Sequence, residues 1–409
     1  MFDKAGNLYG ATTGGGTNCA PIGGECGLVF ELSPPAKQGD PWTESIVFTF
    51  KGEDENDASA PTGGLIIDGA GNLYGVTAYG GTGDCVLLGV KAGCGTVYEL
   101  SPPATQGDPW TETLLYSFKS GKDGYFPWGT LTFDSKGNLY GATQFGGGKG
   151  NTCNEFYGGN CGTVFELSPA KSPKDGQWTE TVLHSFAGGT DGANPNGGLV
   201  LDGKGAIYGA AYSGANQGCK YQGEVGCGAI FALTPPKRNG GVWAEKQIYV
   251  FKAGSDGANP NGGIIFDARG SLYGTAEGGP NQGQGIAFRM TKAHSGAWKE
   301  TLLYVFADNG EYGDDPLAGL TFDAAGNLYG TTYSALSVSG TAFRLQNPKT
   351  KGKPWTLSLL HGFQGAPDGA QPAAGLISDG IGNYYGTTSK GGTGTCSFYG
   401  CGTVFEVSP

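Results

Sequence analysis

The sequence predicts an all-β chain folded as a seven-bladed β-propeller of four-stranded antiparallel blades. Three observations lead there. Glycine supplies 80 and proline 22 of the 409 residues, too many for helices, because each interior glycine costs a helix roughly 1 kcal/mol and proline more. The phrase D-x-x-G-[NSA]-[LIY]-Y-G recurs seven times, starting at Asp3, Asp68, Asp134, Asp202, Asp267, Asp323 and Asp379, and self-similarity at a fixed period marks a repeat architecture. Each repeat also holds four short strand-like runs, the content of one propeller blade.

Composition closes off the alternatives. A chain that is 38% hydrophobic and 12% aromatic can bury a core, which argues against disorder. Glycine does not recur at every third residue, so collagen is excluded. A β-solenoid is the structural rival, but it needs parallel stacking and shorter coils. The repeat spacings of 65, 66, 68, 65, 56 and 56 residues exceed the usual propeller period of about 40–50.

The second repeat shows the pattern. Run a covers residues 64–67, run b 72–77, run c 95–100 and run d 110–118. Run d alternates, with Trp110, Glu112, Leu114, Tyr116 and Phe118 on one face. Residues 68–71 between a and b have Asp and Gly where a type I turn favours them. The Pro-rich segment 101–109 between c and d cannot continue a strand. Excess length lies between b and c: 23 residues from Gly75 to Tyr98, but 14 from Gly274 to Phe288. One propeller domain over 1–409 is expected, with repeat units starting near residues 2, 63, 129, 197, 262, 318 and 374.

The first repeat begins at the tail of a run a, and the seventh stops after run c at Val407. The expectation is a ring incomplete at the first and last blade. The missing d and a strands, and a signal peptide absent from this sequence, would precede Met1. The alternative is that the chain starts here and leaves open strand edges, which invite pairing with another copy.

Ten cysteines fall as five local pairs: Cys19/Cys26, Cys85/Cys94, Cys153/Cys161, Cys219/Cys227 and Cys396/Cys401. Each pair sits within one b–c loop, and repeats five and six lack both members. Joint retention or loss is what local disulfides predict. Closing a loop of about 8 residues contributes roughly 2.5 kcal/mol in the chain-entropy model. Disulfides place the chain in an oxidising compartment, secreted or at the cell surface. Zinc is the competing reading, but the spacing does not match C-x₂₋₄-C knuckles.

Segments of the GNLYGTT, CGTVFELSP and DGANPNGGL kinds, at residues 6–13, 94–102, 161–169, 191–199, 256–264 and 326–332, resemble the GloVer tandem repeats of secreted or surface-anchored bacterial proteins. The resemblance spans nearly the whole chain. It implies export and a repetitive β architecture, and it carries no catalytic residues.

In a four-strand meander the b–c and d–a connections share one end. Loops on a rigid scaffold collect binding residues, so this is the candidate face. Repeat three departs there from its siblings, reading Tyr125, Phe126, Pro127 and Trp128 where repeat four reads Ala193, Asn194, Pro195 and Asn196. The other six Trp all open run d and are structural; Trp128 alone is off-pattern. The b–c segments add Tyr79, Phe145, Phe156, Tyr157, Tyr212, Tyr221, Tyr333, Phe398 and Tyr399. Flat rings flanked by Asn, Asp and Gln can stack on sugar C–H faces and bind hydroxyls. The ligand-binding candidates are therefore Trp128, Tyr125, Phe126, Tyr79, Phe145, Tyr157, Tyr212 and Tyr333. The bland alternative for each is packing of its own loop.

Other chemistry is thinly represented. No cofactor is expected. The oxygen-rich segments 191–197 and 256–262 make calcium a weak candidate, although they lack the D-x-[DN]-x-[DN]-G pattern. His184 and His361 fall in run d, away from the candidate face, and His294 in a c–d loop, which argues against a His-based triad. Asp84, Asp123, Glu155, Glu224, Glu277, Asp314 and Asp315 lie on the candidate face, where a pair could act on a glycoside as acid and base. A net charge of −11 without basic runs excludes a nucleic-acid partner, and no apolar stretch is long enough to span a membrane. The expected function is recognition of an extracellular ligand, a glycan ahead of a protein, by a surface module. The alternatives are a carbohydrate-active hydrolase or lyase, and a subunit that self-associates through open edge strands.

Overall fold

In the computed structural model the described residues are all of 1–409 except 17–25, 38, 53–56, 88, 106, 149–160, 171–177, 222–223, 239, 255, 281–284, 307–312, 351 and 395–400. Among the described residues every regular element is a strand. The class is all-β, a seven-bladed β-propeller, with strands in each repeat following one another antiparallel. The chain divides into two compact units, residues 1–188, 193–205 and 233–244, and residues 189–192, 206–232 and 245–409.

The first unit opens with a three-stranded sheet, β1 (Leu8–Thr12), β2 (Leu28–Ser33) and β3 (Thr43–Thr49). Its run a is reduced to a single bridge from Phe2 to Leu8. The second repeat supplies β4 (Ala58–Ile67), β5 (Leu73–Gly80), a hairpin β6 (Val86–Leu87) and β7 (Val90–Lys91), then β8 (Thr96–Ser101) and β9 (Thr111–Ser117). Its sheet runs β4-β5-β8-β9. The third repeat gives β10 (Tyr125–Phe133), β11 (Leu139–Phe145), β12 (Thr163–Ser168) and β13 (Thr179–Ser185), in that order across the sheet. The fourth repeat places β14 (Ala193–Leu201) in this unit, where it lies against β10, and β10 lies in turn against β4.

The second unit continues the fourth repeat with β15 (Ile207–Ser213), a hairpin β16 (Lys220–Tyr221) and β17 (Glu224–Val225), and most of β18 (Ala229–Thr234) and β19 (Ala244–Val250), residues 233–244 belonging to the first unit. Two four-stranded sheets follow. The first is β20 (Ile265–Phe266), β21 (Leu272–Ala276), β22 (Ile286–Lys292) and β23 (Trp298–Val305). The second is β24 (Thr321–Phe322), β25 (Leu328–Thr332), β26 (Thr341–Gln346) and β27 (Thr356–Gly362). The last sheet has three strands, β28 (Ile377–Ser378), β29 (Tyr384–Thr388) and β30 (Thr403–Val407).

The recurring phrase is a self-contained turn. Oδ1 of Asp68 accepts the N–H groups of Ala70 and Asn72 at 2.8 and 2.9 Å, while Oδ2 accepts Asn72 Nδ2 and the Tyr74 hydroxyl. One carboxylate thus closes the a–b turn and fixes the first residues of strand b, an Asx device. Partial burial pushes the carboxyl up, but these donors outweigh it and hold Asp68, Asp134, Asp323 and Asp379 below the ordinary carboxylate value.

The glycine that ends the phrase is a packing requirement. A Cβ on Gly274 would lie 2.7 Å from Cζ of Phe288, its register partner on strand c. The tip of the strand-c ring lies against the bare backbone of b, and Tyr98, Phe165, Phe231, Phe288 and Phe343 are all fully buried. Polar pairs seal the far end of the same strands: Thr77 with Thr96 and Thr143 with Thr163, each at 2.8 Å between hydroxyls.

The Trp that opens run d clasps the preceding repeat, as expected of a structural residue. Trp110 meets Tyr9 edge-on at 6.1 Å, Trp243 meets Tyr140 at 6.5 Å, and Trp298 meets Tyr208 at 6.2 Å. Close backbone approach completes the contact between first strands. A Cβ on Gly129 would run into the carbonyl of Gly197.

The sequence reading differs from the structure in one respect that matters for function. The d–a segments of repeats two to four are not loops but the first halves of strands β4, β10 and β14. Two of them pair visibly with an extended strand b, Ser59 opposite Tyr79 and Tyr125 opposite Phe145. A register shift between Thr62 and Ile66, and another between Trp128 and Thr132, lets one strand serve both segments.

Candidate functional site

Five of the eight predicted binding residues meet in the first unit. The Trp128 and Phe126 rings lie parallel, with centroids 5.7 Å apart and planes 7° apart. Phe126 also touches Tyr79 edge-on at 5.2 Å and Phe145 at 5.8 Å, and Tyr125 lies 5.4 Å from Phe145. All five rings are half-buried. The residues come from strands β5, β10 and β11, so the cluster stands on sheet and not on a loop.

Backbone geometry explains why Phe126 can both stack and brace. It holds a left-handed conformation, φ 60°, which an L-residue with a bulky side chain rarely adopts. The same position is left-handed in six repeats: Ala60, Phe126, Asn194, Asn259, Asp315 and Gln371, with φ between 51° and 60°. The turn aims the N–H backwards. Phe126 donates to the carbonyl of Cys94 at 3.0 Å, Ala60 to Cys26 at 2.8 Å, Asn194 to Cys161 at 2.7 Å, Asn259 to Cys227 at 2.8 Å and Gln371 to Ser339 at 2.6 Å. The strained residue is a staple between consecutive repeats, and the surrounding structure holds it there.

Polar groups of the same segments have structural partners. Gln144 precedes Phe145 on β11; its carbonyl accepts Asn194 Nδ2 at 3.0 Å, and its Nε2 donates to Asn196 Oδ1 at 3.4 Å. Asp123 has a structural task, accepting the Tyr116 hydroxyl at 2.7 Å and the Lys119 N–H at 2.6 Å.

Tyr212 and Tyr333 lie in the second unit, each in a polar cluster. The Tyr212 hydroxyl donates to Glu277 Oε2 at 2.8 Å, and Asn261 Nδ2 donates to Oε1. Burial pushes the Glu277 carboxyl up and the charge of Asp315 adds to this, against the two donors. Tyr333 donates to Gln371 Oε1 at 3.0 Å. Asp315 is pushed up by burial and then by Asp314, and Ser334 hydrogen-bonds to both. Sequence reasoning missed this use of Asn261 and Ser334, because neither departs from ordinary turn composition.

The remaining candidates divide. Tyr157, Glu155, Phe156, Phe398 and Tyr399 lie outside the described residues. Asp84 is an exposed surface acid, 3.4 Å from Lys91. Cys85–Cys94 and Cys219–Cys227 are disulfides with Cα atoms 5.0 and 5.7 Å apart. Cys26, Cys161 and Cys401 are also disulfide-bonded; the predicted partners Cys19, Cys153 and Cys396 lie outside the described residues. One placement needs correction. His361 is not remote from the d–a segment: its Nε2 lies 3.0 Å from both Asp368 oxygens. A strand-d side chain and the Asp seven residues on meet in the same way at Tyr116–Asp123 and Tyr249–Asp256. Asp256, part of the calcium candidate, is thereby engaged within its own segment.

The family described as Gloeobacter/Verrucomicrobia repeat matches residues 1–219 and 89–336. None of the curated proteins matches the chain. Among solved structures, the chain is similar to a gluconolactonase from Xanthomonas campestris, with 13% identity over 77% of this chain and 79% of that one, TM-score 0.41. It is also similar to a putative oxidoreductase (glucose dehydrogenase) from a Thermus species, with 15% identity over 85% and 96%, TM-score 0.46. A third is an ulvan lyase, with 10% identity over 89% and 78%, TM-score 0.42. At such distances the chemistry of those proteins does not carry over.

Proposed function

The chain belongs to the Gloeobacter/Verrucomicrobia repeat family, and from that premise we propose that it is an exported or cell-surface recognition module that binds glycan. The observation that carries the reading is the parallel Phe126–Trp128 pair with Tyr79, Tyr125 and Phe145 around it. Half-buried aromatic faces offer apolar area to sugar C–H groups, and the Tyr79 and Tyr125 hydroxyls and the Trp128 indole N–H are the polar atoms of the cluster. Trp128 is the discriminating residue, since the corresponding positions hold Thr62, Asn196, Asn261, Leu317 and Ala373. The disulfides support an oxidising, extracellular setting.

A glycan array followed by calorimetric titration tests the reading. At least one polysaccharide class is expected to bind, with affinity falling about tenfold or more in Trp128→Ala, a loss of ~1.4 kcal/mol. Absence of any glycan ligand, or binding indifferent to Trp128→Ala, overturns it.

Glu277 supports a second reading. A buried carboxyl with a raised pKa, under the charge of Asp315, fits a general acid in a carbohydrate-active enzyme. Product release from polysaccharide, abolished by Glu277→Gln, is the expected signature. Unchanged turnover in that variant rejects the assignment.

A further inference from the structure

Run d begins W-x-E at Trp42/Glu44 in the first repeat, where Glu44 is exposed, and in the next four repeats at Trp110/Glu112, Trp178/Glu180, Trp243/Glu245 and Trp298/Glu300. The segments that lead into those last four repeats each carry an Asp: Asp57, Asp123, Asp191 and Asp256. The repeat with Leu357 in the glutamate position has Tyr312 in the aspartate position. The two acids are lost together, as expected of partners.

Three of these pairs can be followed at atomic detail. Oε1 of Glu112, Glu180 and Glu300 is sealed from water, with no hydrogen-bond donor. The facing aspartates have theirs already. Asp57 accepts the N–H groups of Lys51 and Ala58, each at 2.8 Å. Asp123 accepts Tyr116 and the Lys119 N–H, and Asp256 accepts Tyr249 and the Lys252 N–H. Where an aspartate already has its donors and the neighbouring glutamate Oε1 has none, the proton rests better on the glutamate.

We propose that Glu112, Glu180 and Glu300 are proton-held clasps between strand d and the segment leading into its repeat, each neutral in the folded chain beside the Asp of that segment. The fold is therefore braced for mildly acidic surroundings and loosens as the medium turns alkaline.

The charged and titratable groups around each clasp agree. Glu112 is pushed up from 4.5 to about 9 by burial, then by its hydrogen bond to Asp57 and that residue's charge, with Lys51 opposing; Tyr98 is the phenol beside it. Glu180 is pushed up to about 7 by burial and Asp123, with Tyr116 adjacent; Asp123 is itself pushed up by burial, against the Tyr116 and Lys119 donors and the Lys119 charge. Glu300 is pushed up to about 7 by burial and Asp256, with Tyr249 adjacent. Folded values above the unfolded one mean that the folded state holds the proton more tightly. The stabilisation is complete below about 4.5, fades as pH rises through about 7 at Glu180 and Glu300, and is last lost near 9 at Glu112.

The test is denaturant unfolding of the full chain, disulfides oxidised, between pH 5 and 9. Wild type is expected to raise its unfolding constant by about tenfold or more across that range. The triple variant Glu112→Gln/Glu180→Gln/Glu300→Gln, a permanent mimic of the neutral acid, is expected to flatten the slope and be the more stable protein at pH 9. A flat wild-type profile, or an unchanged slope in the triple variant, overturns the proposal. Should the triple variant not fold, infrared difference spectra of wild type against Glu112→Gln at pH 7 decide. A carboxylic-acid carbonyl band lost in the variant supports the clasp, and its absence from wild type overturns it.

Discussion

The N–H of Phe126 donates to the carbonyl of Cys94, 3.0 Å away, so the central ring of the aromatic cluster is anchored to a disulfide cysteine of the preceding repeat. The Cys85–Cys94 bridge therefore steadies the platform as well as its own loop. The double variant Cys85→Ser/Cys94→Ser is expected to lose about 2–3 kcal/mol of stability. It is also expected to weaken glycan binding several-fold at temperatures where it is still folded. Denaturant curves and calorimetric titration of the same preparation check both.

The left-handed position separates stability from binding. Ala60 sits at φ 57°, where a Cβ costs roughly 1–2 kcal/mol. Ala60→Gly keeps the N–H donated to Cys26 and is expected to raise stability by about 0.5–1 kcal/mol, against the usual sign for glycine in a strand. Phe126→Gly relieves the same strain but removes the ring. It loses the contacts with Tyr79, Trp128 and Phe145, so it is expected to be less stable than wild type, unlike Ala60→Gly, and to bind glycan at least about tenfold more weakly. Thermal melts and array binding read the two effects apart.

The glycine under each strand-c ring admits no such relief. Gly274→Ala sets a methyl carbon 2.7 Å from Phe288 Cζ, in a core where that ring is fully buried. Overpacking of this kind costs about 1–3 kcal/mol. The double variant Gly274→Ala/Phe288→Leu is expected to recover part of the loss, measured by denaturant midpoint.

Acid brings a different weakness. Asp68, Asp134, Asp323 and Asp379 titrate below their ordinary value in the folded chain. Their contribution is present above the unfolded carboxylate pKa of about 3.9 and is lost as pH falls through the folded values. Unfolding midpoints between pH 5 and 2 are expected to drop, and changing all four to Asn is expected to shallow that drop. The stability profile then has two flanks, with the carboxylate turns acting below about pH 4 and the glutamate clasps above about pH 5.

Much of this architecture is legible in the sequence because it is written seven times. The Asp, Gly and Tyr of the recurring phrase each have one local duty, so the turn, the ring contact and the strand follow from the letters. The off-pattern Trp128 likewise pointed to the aromatic cluster. The left-handed residues were not legible. Ala60, Phe126, Asn194, Asn259, Asp315 and Gln371 share no chemistry, and only the Asn and Asp among them are residue types that favour this conformation. Each also precedes a proline, which biases a residue towards extended backbone. The strand character of residues 125–128 was hidden by the same Pro and Gly that form its bulge. The acid clasps needed a partner far along the chain, as Glu112 is from Asp57, visible only when the Leu357 and Tyr312 departures are set side by side.

The staple at residues 60, 126, 194, 259 and 371 uses only main-chain atoms, and this has a consequence for how such chains can diversify. The backbone asks nothing of the side group there beyond tolerance of the bend. An alanine, a phenylalanine, an asparagine and a glutamine each occupy the socket with the same main-chain bond. Recognition can then be rewritten one repeat at a time, like changing a tool in a fixed handle.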